Sequence, residues 1–186
     1  MSRFTVTELP LPGLKLVERR LMSDARGFLA RLFCSEELAA AGWRKPVVQI
    51  NHTCTVRQGA VRGMHFQLPP YAEMKLVSCL KGEVWDVAVD LRAGSPTFLQ
   101  WHAECLSAQN ARALLIPEGF AHGFQVMSDG AELLYCHSAP YSPQAEAGLH
   151  PQDPRLAIAW PLPVADLSQR DATRPFLEPS YAGVIL

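Results

Sequence analysis

The feature that most constrains the fold is a series of short, strand-like segments between residues 47 and 141, separated by turns. The clearest segment is Glu83–Asp90, where apolar residues alternate along the chain. Its two faces are formed by Trp85, Val87 and Val89 and by Val84, Asp86, Ala88 and Asp90. Regular strands of this kind, with no long amphipathic helix among them, predict an all-β sandwich or barrel.

The segments before residue 47 add smaller elements. Residues 1–20 alternate weakly and predict an edge strand pair. Asp24–Gly27 has the composition of a turn that leads into a strand over Phe28–Phe33. Ser35 is suited to cap a short helix that ends at Gly42.

The length of 186 residues predicts one domain with a sizeable core. We expect a barrel core at about residues 44–145, followed by a tail over 146–186. The tail is rich in proline, which favours turns and short helices packed on the barrel.

Composition excludes several classes of protein. With 48% hydrophobic and 19% charged residues, the chain is expected to be soluble and globular. A formal net charge of -1 disfavours a nucleic-acid partner. We predict no signal peptide and no membrane span. The 5 cysteines show no CxxC spacing, which predicts reduced thiols and a cytoplasmic location.

The first candidate functional stretch is Gly59–Gln67, which contains two glycines, Arg62 and His65. In a regular strand, residues three apart face opposite sides. A bend at Gly63 would direct both side chains into one cavity. The alternative is a buried histidine and a surface arginine in an ordinary hairpin.

The second stretch is Ile116–Phe124, with the spacing Pro117-x-Gly119-x-x-His122. Together the two stretches resemble the signature motifs of the cupin jelly roll, which implies a cupin jelly-roll β-barrel. Metal-binding cupins have a histidine where this chain has Gln67, a poor ligand for a transition metal. The remaining candidate ligands are His65, His122 and Glu73, fewer than a typical structural or catalytic metal site has. We therefore predict that the protein binds no metal.

Further motifs resemble one family, the dTDP-4-dehydrorhamnose 3,5-epimerases, from about residue 20 to about residue 175. The matching segments are 24–28, 49–51, 62–67, 75–92, 95–97, 106–107, 117–124, 134–135, Tyr141-x-Pro143, 153–154, 160–161 and 167–171. The resemblance implies a cofactor-independent isomerase that takes a nucleotide-sugar substrate. The family converts dTDP-4-dehydro-6-deoxy-D-glucose to dTDP-4-dehydro-L-rhamnose for deoxysugar and polysaccharide biosynthesis.

The resemblance also implies catalytic roles. His65 resembles the base that removes a proton beside the C4 ketone, and Asp171 resembles the carboxylate that orients it. Lys75 would stabilise the enolate, and Tyr135 would donate a proton to the opposite face. Without the resemblance, Asp171 would be interpreted as a tail carboxylate, Lys75 as an exposed lysine and Tyr135 as a packed strand tyrosine.

The remaining matches imply substrate-binding residues. Those suited to the diphosphate, the ribose or the sugar are Gln49, Asn51, Arg62, His122 and Arg170. Tyr141 resembles a residue that stacks on the base, and Glu146 follows in the same loop. Arg26 resembles a residue that reaches the nucleotide of a partner subunit. This implies a homodimer with strand exchange.

Four residues depart from the family pattern: Arg31, Ile50, Phe66 and Arg170. They leave the nucleotide and the sugar open, and the sequence does not decide whether C3, C5 or both are inverted. The alternatives are a related nucleotide-sugar 3- or 5-epimerase or ketoisomerase, a metal-dependent cupin oxygenase, and a non-catalytic sugar-nucleotide binder.

Overall fold

The computed structural model describes residues 2–186 and consists mainly of β-strands. The strands are β1 Phe4–Glu8, β2 Lys15–Arg19, β3 Met22–Asp24, β4 Gly27–Leu29, β5 Gln49–Thr55, β6 Val61–Gln67, β7 Lys75–Lys81, β8 Glu83–Asp90, β9 Trp101–Ser107, β10 Arg112–Ile116, β11 Phe120–Val126, β12 Ala131–His137 and β13 Glu146–Gly148. The helices are α1 Ser35–Ala39 and α2 Gln169–Ala172. Within residues 2–186, no helix has the length and apolar character needed to cross a membrane.

Two antiparallel sheets form the body of the molecule. One has the strand order β1-β2-β10-β7-β12-β5, and the other has the order β13-β6-β11-β8-β9. A separate hairpin joins β3 and β4. The predicted all-β jelly roll is confirmed, and β1 and β2 form the predicted strand pair at a sheet edge. These two strands lie before the segment 44–145 that the sequence predicts as the barrel core.

Strand β8 forms over Glu83–Asp90, where the alternation predicts a strand, and it is buried on both faces. Val84 and Ala88 contact the core between the sheets, together with residues such as Leu114 and Leu133. Val87, on the opposite face, belongs to a second core beneath the C-terminal tail. Burying each valine or leucine side chain contributes about 1.5–3 kcal/mol, which makes both cores major sources of stability.

Each sheet is covered on its outer side. Leu38 and Trp43, from α1 and the turn after it, pack on the six-stranded sheet. Leu149, Leu156 and Val184, from the tail, pack on the five-stranded sheet. These tail residues pack against the barrel, and the tail is positioned to bring α2 close to β6.

Two local predictions were wrong. Cys34, not Ser35, is the N-cap of α1, where φ of -152° gives extended backbone and no side chain caps the helix. Ser35 is instead the first helical residue. The strand after the turn ends at Leu29 instead of Phe33. Because this hairpin pairs with no strand of the two larger sheets in residues 2–186, no sheet ladder extends it.

A bulge in β6 determines how the site residues are directed. His65 pairs with His122 of β11, but Arg62 pairs with Phe124, so β6 contains one extra residue between these pairs. A Cβ atom on Gly63 would lie 2.5 Å from the Cα atom of Gly123, so the close approach of the two strands requires glycine. The bulge interrupts the normal alternation. The predicted bend is confirmed, because Arg62 and His65 line the same cavity.

Candidate active site

One polar cavity of about 290 Å³ lies between the two sheets. Both sheets and the tail contribute to its wall. The lining residues are Asn51, Thr53, Arg62, His65, Phe66, Gln67, Glu73, Lys75, His122, Phe124, Tyr135, His137, Tyr141, Glu146 and Arg170. The structure therefore brings together most of the site residues that the sequence predicts.

His65 and Asp171 form a hydrogen-bonded pair at this cavity. The distance from His65 Nε2 to Asp171 Oδ1 is 2.7 Å, although the residues are 106 positions apart. Ser168 Oγ accepts a hydrogen bond from the backbone N–H of Asp171, which fixes the start of α2. Burial acts to raise the pKa of Asp171, but the hydrogen bond and charge of His65 outweigh it, so the pKa is lowered. An ionised Asp171 accepts the proton that His65 presents on Nε2.

Lys75 is a buried cation at the start of β7. Its Nζ atom donates to the backbone carbonyl of His65 at 3.2 Å and lies 3.3 Å from Glu73 Oε1. Burial acts to raise the pKa of Glu73, but His137 and Lys75 together lower it. Glu73 is thus the counter-ion of Lys75, since an unpaired buried charge would be costly.

Tyr135 reaches the cavity from β12, in the sheet that faces His65. Its ring meets that of His122 edge-on, with centroids 5.8 Å apart. Burial, followed by the charge of Asp86, raises the pKa of Tyr135 well above its usual range. The phenol therefore stays protonated at neutral pH and is able to donate.

His122 is paired with a carboxylate from the adjacent strand. Its Nε2 atom lies 3.0 and 2.9 Å from the two carboxylate oxygens of Asp86. Burial raises the pKa of Asp86, and His122 only partly offsets this. The pair is almost completely enclosed, with exposed side-chain fractions of 5% for His122 and 0% for Asp86.

Polar residues at the mouth of the cavity form a connected group. Tyr141 donates from its hydroxyl to Glu146 at 2.8 Å and from its backbone N–H to Gln49 at 2.9 Å. Gln49 in turn donates to Asn51 at 3.1 Å. Arg170 forms an ion pair with Glu146 at 2.8 Å. These donors and the exposed Tyr141 ring provide partners for a polar ligand with an aromatic base.

Arg62 adds a cation at the same wall. Its Nε atom donates to Thr55 at 2.8 Å, while the rest of this exposed side chain borders the cavity. Guanidinium groups bind phosphate oxygens with paired hydrogen bonds. With Arg170, the mouth therefore has two cations suited to a diphosphate.

Gln67 already has hydrogen-bond partners in the protein. Its amide donates to the carbonyls of Tyr71 and Pro140, and its oxygen accepts from the backbone N–H of Ser142 at 2.6 Å. Gln67 thus connects β6 to the loop of Tyr141. Among residues 2–186, no group of three His, Cys, Asp or Glu side chains is arranged to hold a metal ion.

Comparison with known proteins identifies the family. The family model described as dTDP-4-dehydrorhamnose 3,5-epimerase matches residues 8–179. The chain belongs to this family. A dTDP-4-dehydrorhamnose 3,5-epimerase from Pseudomonas aeruginosa is 46% identical over 167 residues, which cover 89% of this chain and 91% of the relative.

Solved structures agree with the assignment to the dTDP-4-dehydrorhamnose 3,5-epimerase family. The enzyme from Bacillus anthracis, with TDP and pyrophosphate bound, has a TM-score of 0.90 and 39% identity, covering 94% of this chain and 99% of that one. The Legionella pneumophila enzyme, in complex with dTDP-4-keto-L-rhamnose, has a TM-score of 0.88 and 40% identity, covering 93% and 92%. The chain is therefore an isomerase with the cupin jelly-roll fold of these epimerases, and the predicted function is that of its family.

Two residues that the sequence singles out, Arg26 as a match to the epimerase family and Arg31 as a departure from it, lie outside the cavity of their own chain. Arg26 is on the β3–β4 hairpin, where its side chain is 90% exposed and pairs with Asp24 at 2.6 Å. Arg31 forms an ion pair with Glu37 of α1. Within a single chain, neither residue lines the site.

Sequence reasoning missed three polar residues of this epimerase site. Asp86 had been placed on a strand face without a partner, and Glu73 was considered only as a metal ligand. His137 was not considered, although it lies two residues after Tyr135 on the same strand, hence on the same face. That spacing was the available signal for His137.

Proposed function

We propose that this chain converts dTDP-4-dehydro-6-deoxy-D-glucose to dTDP-4-dehydro-L-rhamnose by inverting C3 and C5. The observation that carries the proposal is the arrangement of one cavity between two facing sheets. His65 enters the cavity from the five-stranded sheet. Tyr135 and Lys75 enter it from the six-stranded sheet. Inversion of a carbon requires a proton to leave one face and another to arrive at the opposite face.

His65 is the proposed base. Because the ionised Asp171 accepts from Nε2–H, the imidazole lone pair lies on Nδ1. Nδ1 then removes the proton from the carbon beside the C4 ketone, and the Asp171 carboxylate stabilises the imidazolium that forms. The same base acts at C5 and at C3, since both carbons flank the one ketone.

Lys75 is the proposed electrophilic group. Removing the proton moves charge onto the C4 oxygen, and the adjacent, buried ammonium of Lys75 stabilises the enolate. Tyr135 is the proposed acid that returns a proton to the opposite face. Its raised pKa keeps the proton available until the enolate forms.

The mouth of the cavity is proposed to hold the nucleotide. Tyr141 stacks on the base, and Arg62 and Arg170 bind the diphosphate. Gln49, Asn51, His122 and Glu146 are proposed to contact the sugars or to hold these residues in place. Support for the mouth residues comes from the hydrogen bonds and the ion pair that connect Gln49, Asn51, Tyr141, Glu146 and Arg170.

A homodimer with strand exchange is part of the proposal. The β3–β4 hairpin exposes Phe28 and Leu29 by 66% and 65%, and the sheet-edge strand β5 exposes Ile50 by 61%. Apolar surface of this kind and an unpaired strand edge favour association. In such a dimer, Arg26 of one chain would bind the nucleotide of the other.

Light scattering at micromolar concentration tests the dimer, and a monomer mass would contradict it. Mixing inactive Arg26→Ala and His65→Ala chains tests the shared site. Random mixing should restore about a quarter of wild-type activity, since mixed dimers have one intact site. Continued inactivity of the mixture would mean that Arg26 does not serve the neighbouring chain.

We also propose that the reaction needs no metal or organic cofactor and takes place in the cytoplasm. Gln67 stands where a metal-binding cupin has a histidine, and its amide is engaged by the protein. All 5 cysteines of the chain are free thiols, as suits a reducing compartment. Activity should survive exhaustive EDTA treatment. Loss of activity that one divalent ion restores would favour the metal-dependent alternative.

The direct test of the proposed function is turnover in deuterated water. The substrate dTDP-4-dehydro-6-deoxy-D-glucose should gain deuterium at C3 and C5, as read by NMR, with inversion of both carbons. Inversion at one carbon alone would make the chain a 3- or 5-epimerase. Absence of any exchange, with intact binding of dTDP, would favour a non-catalytic binder.

A further inference from the structure

A side-chain network adjoins Lys75, and two of its buried members, Glu73 and His137, have no role in the reaction described above. Lys75 Nζ lies 3.3 Å from Glu73 Oε1, and Glu73 Oε2 lies 2.8 Å from His137 Nδ1. His137 Nε2 lies 3.3 Å from Asn51 Nδ2. Lys75, Glu73, His137 and Asn51 all line the substrate cavity.

The direction of each hydrogen bond in this network follows from its neighbours. Gln49 donates to the oxygen of Asn51, which leaves the amide nitrogen of Asn51 as a donor to His137. His137 Nε2 must then accept, so the imidazole proton lies on Nδ1. Nδ1–H donates to Glu73, whose second oxygen accepts from Lys75.

The opposite end of the network reaches the mouth of the cavity. Gln49 accepts from the backbone N–H of Tyr141 at 2.9 Å. Donation therefore runs in one direction from the Tyr141 loop to Glu73, where it meets the bond from Lys75. A chain of this kind fixes the positions of its members more strongly than isolated bonds do.

The same sheet contains a second lysine–glutamate–histidine group, which differs from this network in its exposure to solvent. Glu132 contacts Lys81 at 3.2 Å and His52 at 3.0 Å, so it too joins a lysine to a histidine. Exposed side-chain fractions are 66% for Lys81 and 57% for His52, compared with 9% for Lys75 and 10% for His137. The ion pairs of an exposed group contribute little free energy, because water screens them. In a buried group each charge depends on its partner, so the side chains are held in defined positions.

We propose that Glu73 and His137 are positioning residues, which hold the Lys75 ammonium where the enolate oxygen forms. The inference rests on the proposed role of Lys75. Without the Glu73 carboxylate, Lys75 would lose its counter-ion in a buried wall. Without the Nδ1–H of His137, Glu73 would be free to turn away from Lys75.

The main test compares Glu73→Gln with Glu132→Gln. The glutamine at 73 keeps the shape but has a single acceptor for two donors, so Lys75 loses its defined position. We expect kcat to fall about 100-fold in Glu73→Gln. KM should stay nearly constant, because Lys75 acts on charge that develops in the transition state. Glu132→Gln should retain wild-type kcat.

His137→Phe provides a second variant that keeps the ring beside Tyr135, where the two rings stack at 6.0 Å. We expect kcat to fall about tenfold, as for the loss of one charge-assisted hydrogen bond. The double variant with Glu73→Gln should be no slower than Glu73→Gln alone, since both act through Lys75. If circular dichroism shows that Glu73→Gln does not fold, the fall in kcat of His137→Phe alone tests the proposal.

A spectroscopic test is independent of turnover. Nitrogen-15 NMR of the wild-type protein should show His137 with its proton on Nδ1. Wild-type kcat in Glu73→Gln, multiplicative effects in the double variant, or a proton on Nε2 would each overturn the proposal. Failure of the proposed function is distinguishable, because the wild-type protein would then show no exchange at C3 or C5.

Discussion

Two of the three histidine–carboxylate pairs at the cavity differ in their surroundings. His65 is bonded to Asp171, and His122 is bonded to Asp86. The two histidines are direct partners across β6 and β11. Both pairs join imidazole Nε2 to a carboxylate at 2.7–3.0 Å, so bond length does not distinguish them.

Burial distinguishes the two pairs. The His65 side chain is 27% exposed at the cavity, whereas that of His122 is 5% exposed. The pKa of Asp171 is lowered because bonding to His65 outweighs burial, whereas burial raises the pKa of Asp86. The comparison teaches that a catalytic pair needs an ionised carboxylate and an accessible imidazole. His65–Asp171 has both features, and His122–Asp86 shapes the enclosed wall.

The largest expected effect separates the two histidines. His65→Ala should lower kcat/KM about 10⁴-fold, since it removes the general base. His122→Ala should lower it about 10-fold, since it disturbs the cavity wall without removing the base. Initial-rate assays measure both, and dTDP calorimetry controls for binding. Equal losses in the two variants would remove the distinction between the pairs.

The next effect separates the two carboxylates. Asp171→Asn should lower kcat about 10³-fold, because an amide can stabilise the wrong imidazole tautomer and no longer stabilises the imidazolium. Asp86→Asn should lower kcat by about 10-fold. Steady-state kinetics at neutral pH provide the comparison. A greater loss in Asp86→Asn would assign the base to His122.

A smaller effect is expected from the proposed acid. Tyr135→Phe should lower formation of the inverted product about 100-fold. Exchange of the abstracted proton should continue, because His65 is untouched. Product formation is followed by chromatography and exchange by NMR on the same samples. Equal loss of product formation and exchange would mean that Tyr135 positions the substrate.

The smallest effect concerns stability and has opposite signs at the two carboxylates. Asp171 has a lowered pKa, so it stabilises the fold above its unfolded pKa of about 3.9, and this is lost as pH falls. Asp86 has a raised pKa, so its contribution to stability decreases as pH rises above about 3.9. Urea unfolding between pH 3 and 7 should therefore give opposite trends for Asp171→Asn and Asp86→Asn, each measured against wild type. Trends of the same sign would contradict the assigned environments.

Much of the fold followed from local patterns. Alternation in Glu83–Asp90 predicted strand β8, and the glycine at 63 predicted the bend beside His65. The N-cap of α1 was mispredicted because Ser35 is a better capping residue than Cys34, yet the backbone becomes helical at Ser35, one residue earlier than that assignment requires. The limits of the barrel core, about 44–145, stay a prediction.

The site was less predictable, because its contacts join distant segments. Only the family resemblance connected His65 to Asp171, which lie 106 residues apart. The pairing of His122 with Asp86 depends on the register of β11 and β8, which no local pattern specifies. The roles of the individual site residues stay predictions until the variants are measured.

The most direct test of His65 as the base is solvent exchange in matched asparagine variants. Wild type, His65→Asn and His122→Asn are incubated with dTDP-4-dehydro-6-deoxy-D-glucose in deuterated water and followed by NMR. We predict deuterium at C3 and C5 for wild type and for His122→Asn, and none for His65→Asn with dTDP binding intact. Wild-type exchange at either carbon in His65→Asn would contradict the assignment of His65 as the base.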